Sequence, residues 1–278
     1  PTPTTLDEIY AANRTNATQA AQMAAAHGAA KRAAALRTLT TGQLLTFDGR
    51  GPGLVTEVLG DLAQATHIAV LVPGSDTSLD TYGRFRTAAQ SLHQRLTRAA
   101  PHTAVIAWLG YETPGTISTT VASTDRADQA APQLGALIRD VRRATTAPHP
   151  HISLLCHSYG SVVCAEAAPT TADAVQDIAL LGSPGTGTDT AAALRTPARI
   201  WAARGADDWV ENVPHLSADL FGTTVGFGTD PVTPAFGARV FAAGEGGHSD
   251  YFAPGSLSLT NLTRIVLGDT EAVTHAPA

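Results

Sequence analysis

Residues 156–160 read Cys-His-Ser-Tyr-Gly, between the apolar runs HISLLC and SVVCAEAA. This has nearly the form of G-x-S-x-G, the tight strand-to-helix turn that presents a serine as a nucleophile. Cys156 stands where the first glycine of the pattern belongs. The turn needs small side chains two residues either side of the serine, because strand and helix backbones nearly touch there. Gly160 meets that need, and a buried cysteine behaves as a compact hydrophobe. Ser158 is therefore the candidate nucleophile, with Cys156 a steric placeholder that would point away from the exposed tip. The plain alternative is a strand-to-helix turn carrying a surface serine.

A serine nucleophile needs a base within hydrogen-bond reach, and the base needs an orienting carboxylate. Of ten histidines, His157 sits beside the serine and faces the wrong way. His67, His102 and His151 precede strands, at the far edge of any sheet. His248 follows ARVFAAGEGG, the last apolar run and a glycine-rich loop, and is the candidate base. The acid belongs in the loop after RIWAARG, where Asp207, Asp208 and Glu211 occur. Asp208, three residues after Gly205 and followed by Val210 as an apolar anchor, is favoured, with Asp207 as the alternative. Asp230 and Asp250 have ordinary loop explanations. Backbone N–H donors for a developing oxyanion are expected from Tyr159, after the nucleophile, and from Ser75, after AVLVPG, with Asp76 as the alternative.

These residues lie at the ends of short apolar runs, and that sets the fold. HIAVLVPG, HTAVIAWLG, HISLLC, DIALLGSPG, ARIWAARG and GARVFAAG read as buried strands. Amphipathic helical stretches separate most of them, clearest at TYGRFRTAAQSLHQRLTRAA and DRADQAAPQLGALIRDVRRA. QLLTF and LVTEVLG, around DGRGPG, read as a hairpin. The pattern predicts an α/β fold: a mostly parallel sheet of roughly eight strands with helices on both faces. Ligands of such sheets gather at the carboxyl ends of the strands. Residues 1–40, alanine-rich and broken near Gly28, predict an N-terminal helical extension packed on the core, with the main domain over 41–278. Too few residues separate DIALLGSPG from ARIWAARG for a large cap domain; residues 211–236 are left as a candidate flap.

The chain has 278 residues, 44% hydrophobic and 15% charged, with a net charge of −6. That argues against nucleic acid as a partner, and no apolar run reaches the ~20 residues of a membrane helix. GSPGTGTDT lacks the spacing and lysine of a phosphate loop. No Cys/His cluster has metal-ligand spacing, so no metal and no cofactor are expected. Cys156 and Cys164 read as a strand end and a position two turns into the next helix, a separation that argues against a bridge between them. NRT, NAT and NLT match a glycosylation acceptor pattern that often occurs by chance.

Taken together, LGDLAQATHIAVLVPGSDTSLDTYGRF, AWLGYETPGT, CHSYGS, GSPGTG, FGARVF and GGHSDYF resemble the alpha/beta-hydrolase superfamily from about residue 44 to the end. Within it, the chain is similar to an actinobacterial group catalogued as a domain of unknown function. The resemblance implies the alpha/beta-hydrolase fold and a Ser-Asp-His triad on Ser158, Asp208 and His248. Similar short proteins often carry secretion signals. A secreted protein, its signal peptide removed before Pro1, is therefore expected, with a cytoplasmic one as the alternative.

The expected function is a metal-independent serine hydrolase that cleaves small-molecule carboxylic esters through an acyl-enzyme, acting as a monomer. The alternatives are acyl transfer or amide cleavage by the same residues, and a hydrolase fold kept as a binding module. A third is an interaction role for the N-terminal helices. Three filled triad positions argue against the binding module, which needs none of them.

Overall fold

The computed structural model describes residues 1–115, 124–212, 217–220 and 223–276. Two helices, α1 (Leu6–Ala26) and α2 (Ala30–Arg37), precede the antiparallel hairpin of β1 (Gln43–Asp48) and β2 (Leu54–Leu59). Strand and helix then alternate through β3 (His67–Val72), α3 (Tyr82–Ala99), β4 (Thr103–Leu109), α4 (Asp125–Ala144), β5 (His151–His157), α5 (Gly160–Thr171), β6 (Val175–Leu181) and β7 (Arg199–Ala203). A separate antiparallel pair, β8 (Ser217–Leu220) and β9 (Thr223–Gly226), falls in the segment read as a flap. Residues 213–216 and 221–222 of that segment lie outside the described residues. The short β10 (Arg239–Val240) and α6 (Leu257–Val266) complete the chain.

The main sheet has eight strands in the order β1-β2-β4-β3-β5-β6-β7-β10. Its members from β4 to β10 run parallel, and β1 and β2 add an antiparallel edge. This is the mostly parallel, roughly eight-stranded sheet that the alternating pattern predicts, and the alpha/beta-hydrolase fold that the resemblance implies. The strand period of two sorts the core into two layers. Ile68, Val70 and Val72 of β3 join Ile152 and Leu154 of β5 on the face covered by α4 and α5. Ala69, Leu71 and Leu155 point the other way, into the layer under α3 and α6.

α1 packs on the edge strand β1. The Asn13 side-chain amide donates to the Leu44 and Leu45 carbonyls at 2.9 and 3.0 Å, where the β1–β2 register slips. A helix over an edge strand blocks strand addition there. Asn13 opens one of the glycosylation-like triplets, and its amide is thus committed to the fold. No helix among the described residues is long and apolar enough to cross a membrane.

The histidines that precede strands lie at the amino edge of the sheet. His67 and His151 begin β3 and β5, and His102 precedes β4. His151 Nε2 is 2.8 Å from Asp177, a buried carboxylate that also accepts two hydrogen bonds from Arg199 and one from Trp201, each at 2.7 Å. That network ties β5, β6 and β7 at the end away from Ser158.

Candidate active site

β5 ends at His157 and α5 begins at Gly160, so the chain reverses within two residues. Ser158 takes up that reversal with φ +55°, a left-handed conformation that costs a non-glycine residue energy and persists only when its surroundings impose it. The constraint comes from backbone. A Cβ on Gly160 would stand 2.6 Å from the Val72 carbonyl oxygen and 2.8 Å from that of Pro73. Ser158 N–H donates to the Leu181 carbonyl at 2.9 Å, tying the turn to β6.

Cys156 and Cys164 form a disulfide, with Cα atoms 6.4 Å apart. This corrects the reading of the two as unbridged. The reversal is tighter than the spacing suggests: α5 starts at Gly160, so Cys164 lies only one turn into the helix. Folded back along β5, it comes within disulfide reach of the strand end. Cys156 is therefore more than a small placeholder, since it is covalently joined to the helix that follows the serine.

β7 leads into Gly205-Ala-Asp-Asp. Of the two aspartates, Asp207 is exposed and Asp208 is 3% exposed. Asp208 Oδ1 lies 2.8 Å from His248 Nδ1 and accepts the Val210 N–H at 2.9 Å. Tyr251 Oη donates to Asp208 Oδ2 at 2.5 Å and accepts the Gly205 N–H at 3.1 Å. Burial alone would raise the Asp208 carboxyl. The hydrogen bonds from His248, Tyr251 and Val210 outweigh it and hold Asp208 below the usual carboxylate range. Facing a carboxylate, His248 Nδ1 carries the proton, which leaves Nε2 as the basic nitrogen. Glycine makes room for the pair: a Cβ on Gly182, at φ +52°, would fall 2.6 Å from Asp208 Oδ2 and 3.0 Å from His248 Nδ1.

Two residues of this assembly escape sequence reasoning. Tyr251 has a faint signal, three residues after His248 in GGHSDYF. His157, expected to face the wrong way for a base, places its Nε2 2.5 Å from the His248 carbonyl oxygen and its ring 4.6 Å from the His248 ring. Burial and the neighbouring His248 push its pKa down to about 4. His157 is thus neutral at ordinary pH, and it must donate from Nε2 because a carbonyl can only accept.

The loop after β3 covers the turn closely. A Cβ on Gly74 would lie 2.5 Å from Ser158 Cβ. Tyr111 Oη donates to the Pro73 carbonyl at 2.6 Å, and the Thr77 N–H and carbonyl both bond Thr113 Oγ1. The Asp76 N–H donates to the Pro114 carbonyl at 2.9 Å. That removes it as the alternative oxyanion donor, whereas the Ser75 N–H donates to no described residue. Ser75, Ser158, Tyr159 and His248 all border one cavity of about 930 Å³. Asp230, by contrast, pairs with Arg204 at 2.7 Å, and Asp250 accepts the Gly247 N–H at 2.8 Å. Among the described residues no three His, Cys, Asp or Glu side chains are grouped to hold a metal ion.

The model of a family described as alpha/beta hydrolase matches residues 48–218. An uncharacterized protein of Mycobacterium tuberculosis is 28% identical over 263 residues, 82% of this chain and 39% of that protein. One of Mycobacterium bovis is 30% identical over 173 residues, 58% of this chain and 64% of that protein. The chain thus spans less than two thirds of the length of either relative. Among solved structures, esterase PE8 superposes with a TM-score of 0.53 at 17% identity, covering 77% of this chain and 98% of that one. A fungal esterase structure from Rhizomucor miehei does so with a TM-score of 0.50 at 9% identity, covering 82% of each chain. At such identities the likeness speaks to the fold alone. The family match covers more than half of the chain and includes the turn at Ser158, so the chain belongs to the alpha/beta hydrolase family.

Proposed function

We propose that the protein is a serine hydrolase that cleaves carboxylic esters through an acyl-enzyme on Ser158, with His248 as base and Asp208 as its orienting acid. The observation that carries this reading is the Asp208–His248 pair at 2.8 Å, opening onto the same cavity as a serine held at positive φ. In the proposed cycle His248 Nε2 takes the Ser158 proton as Oγ attacks the ester carbonyl carbon. The negative charge that develops on the carbonyl oxygen is met by the Tyr159 and Ser75 N–H groups and by the amino end of α5. His248 then returns the proton to the leaving alkoxide, and water releases the acid by the same route in reverse. Asp208, kept ionised by its hydrogen bonds, fixes the productive tautomer and balances the imidazolium.

The disulfide supports an exported protein, since such bridges persist in oxidising compartments. The test of function is turnover of a chromogenic acetate ester by the wild type and by Ser158→Ala. The reading expects the variant to keep at best the ~10³–10⁴-fold over water that survives loss of a triad member. Undiminished turnover by Ser158→Ala would refute it.

A further inference from the structure

The cavity at Ser158 reaches further than an acetyl group requires. At about 930 Å³ it lies near the top of the ~300–1,000 Å³ range of small-molecule sites. Its lining includes Leu71 of β3 and Leu155 of β5, each 1% exposed, which stand opposite each other in the parallel register. Both side chains belong to the layer under α3 and α6, so the cavity passes beside the Ser158 turn and descends to the sheet itself. Phe85 and Ala88, one turn apart on α3, form one wall, and Phe252, four residues after His248, forms the other. All five residues are apolar. The polar lining of the α3 side, Thr81 and Arg84, is exposed at the rim.

Resting on Ser158 as the nucleophile, we propose that this slot between α3 and the loop of residues 248–252 takes the acyl chain of the substrate, and that the substrate class is esters of medium-chain fatty acids. A chain of eight carbons, each about the size of a water at ~30 Å³, fills roughly a quarter of the cavity and leaves room for the alcohol. The floor residues Leu71 and Leu155 carry apolar side chains, so water against them is readily displaced by methylenes. Each methylene that enters it gains apolar burial worth a factor of about four in kcat/KM.

The experiment measures kcat/KM on 4-nitrophenyl acetate, butyrate, octanoate and decanoate for the wild type, Ala88→Trp, Phe85→Ala and Ser158→Ala. The wild type is expected to favour octanoate over acetate by tenfold or more. Ala88→Trp, which fills the slot from its wall, should lower kcat/KM far more on octanoate and decanoate than on acetate and so erase that preference. Phe85→Ala, which widens the slot, should move the optimum toward decanoate, and it tests the idea even where the tryptophan variant does not fold. A wild type that favours acetate, or an Ala88→Trp variant that loses all four esters equally, overturns the slot while leaving the nucleophile standing. Turnover of every ester by Ser158→Ala at the wild-type rate overturns the nucleophile, and with it this inference.

Discussion

Replacing both Cys156 and Cys164 by alanine opens the eight-residue loop that the disulfide closes around Ser158. Closing a loop of that size restricts the unfolded chain by about 2.5 kcal/mol at 25 °C in the chain-entropy account. With about 2.1 cal/mol/K of unfolding entropy per residue over 278 residues, that loss lowers Tm by about 4 °C. Both side chains are completely buried, so the space left by the sulfurs adds to the loss. The chemistry should survive. Cys156 remains paired with Val72 of β3 and Leu180 of β6, Gly160 keeps its seat against the Val72 and Pro73 carbonyls, and Ser158 N–H keeps its bond to Leu181. The double variant should therefore keep kcat within about threefold at 25 °C. The assay pairs thermal unfolding with ester kinetics on folded protein, after intact mass with and without reduction has shown the bridge in the wild type. A folded double variant with kcat down a hundredfold would mean that the bridge, not the backbone seat, positions Ser158. An unchanged Tm would refute the loop-entropy argument.

Other predictions concern single residues. Asp208→Asn should lower kcat by as much as ~10⁴, the loss that follows a wrong histidine tautomer, while Asp207→Asn, at an exposed position, should stay within about twofold; reversed effects would move the acid to Asp207. Tyr251→Phe leaves the buried Asp208 Oδ2 without its donor, so it should cost about 1–3 kcal/mol in denaturant unfolding. Gly160→Ala drives a Cβ into two backbone carbonyls and should cost about 1–3 kcal/mol and most of the activity; a stable, active variant would discount the close seat. His157 has a folded pKa of about 4 and titrates near 6.5 when unfolded, so its contribution to stability is complete above about 6.5 and is lost as pH falls toward 4. That loss amounts to at most roughly 3 kcal/mol, and a His157→Gln variant, which cannot titrate, should show a flatter decline of Tm over the same pH window.

The fold was legible because its signal is local. Each buried strand from β3 to β7 is a continuous apolar run closed by a turn, and each amphipathic stretch between them carries its own period. β10 was harder: GARVFAAG forms a strand along β7 only at Arg239 and Val240, and at Phe241 the run bridges antiparallel to His275. The nucleophile and base candidates could be chosen from the near G-x-S-x-G turn and from which end of a strand they follow. Asp208 could be preferred only by its offset from Gly205, whereas burial separates it from Asp207 at once. The disulfide is not legible from spacing, because residue separation measures distance along a helix, while the reversal at Ser158 folds that helix back on its strand. The contacts of His157 and Tyr251 are hidden for a related reason. Each acts on a group far away in sequence, 91 and 43 residues respectively, and nothing next to them announces the contact.

The central claim is that Ser158 becomes covalently acylated, and trapping the adduct tests it most directly. A fluorophosphonate is incubated with the wild type, Ser158→Ala and His248→Ala, followed by intact mass and peptide mapping. The account predicts one adduct per wild-type chain, on the peptide containing Ser158, none on Ser158→Ala, and greatly slowed labelling of His248→Ala. An adduct on folded Ser158→Ala, or a wild type that turns over esters without being labelled at Ser158, would contradict it.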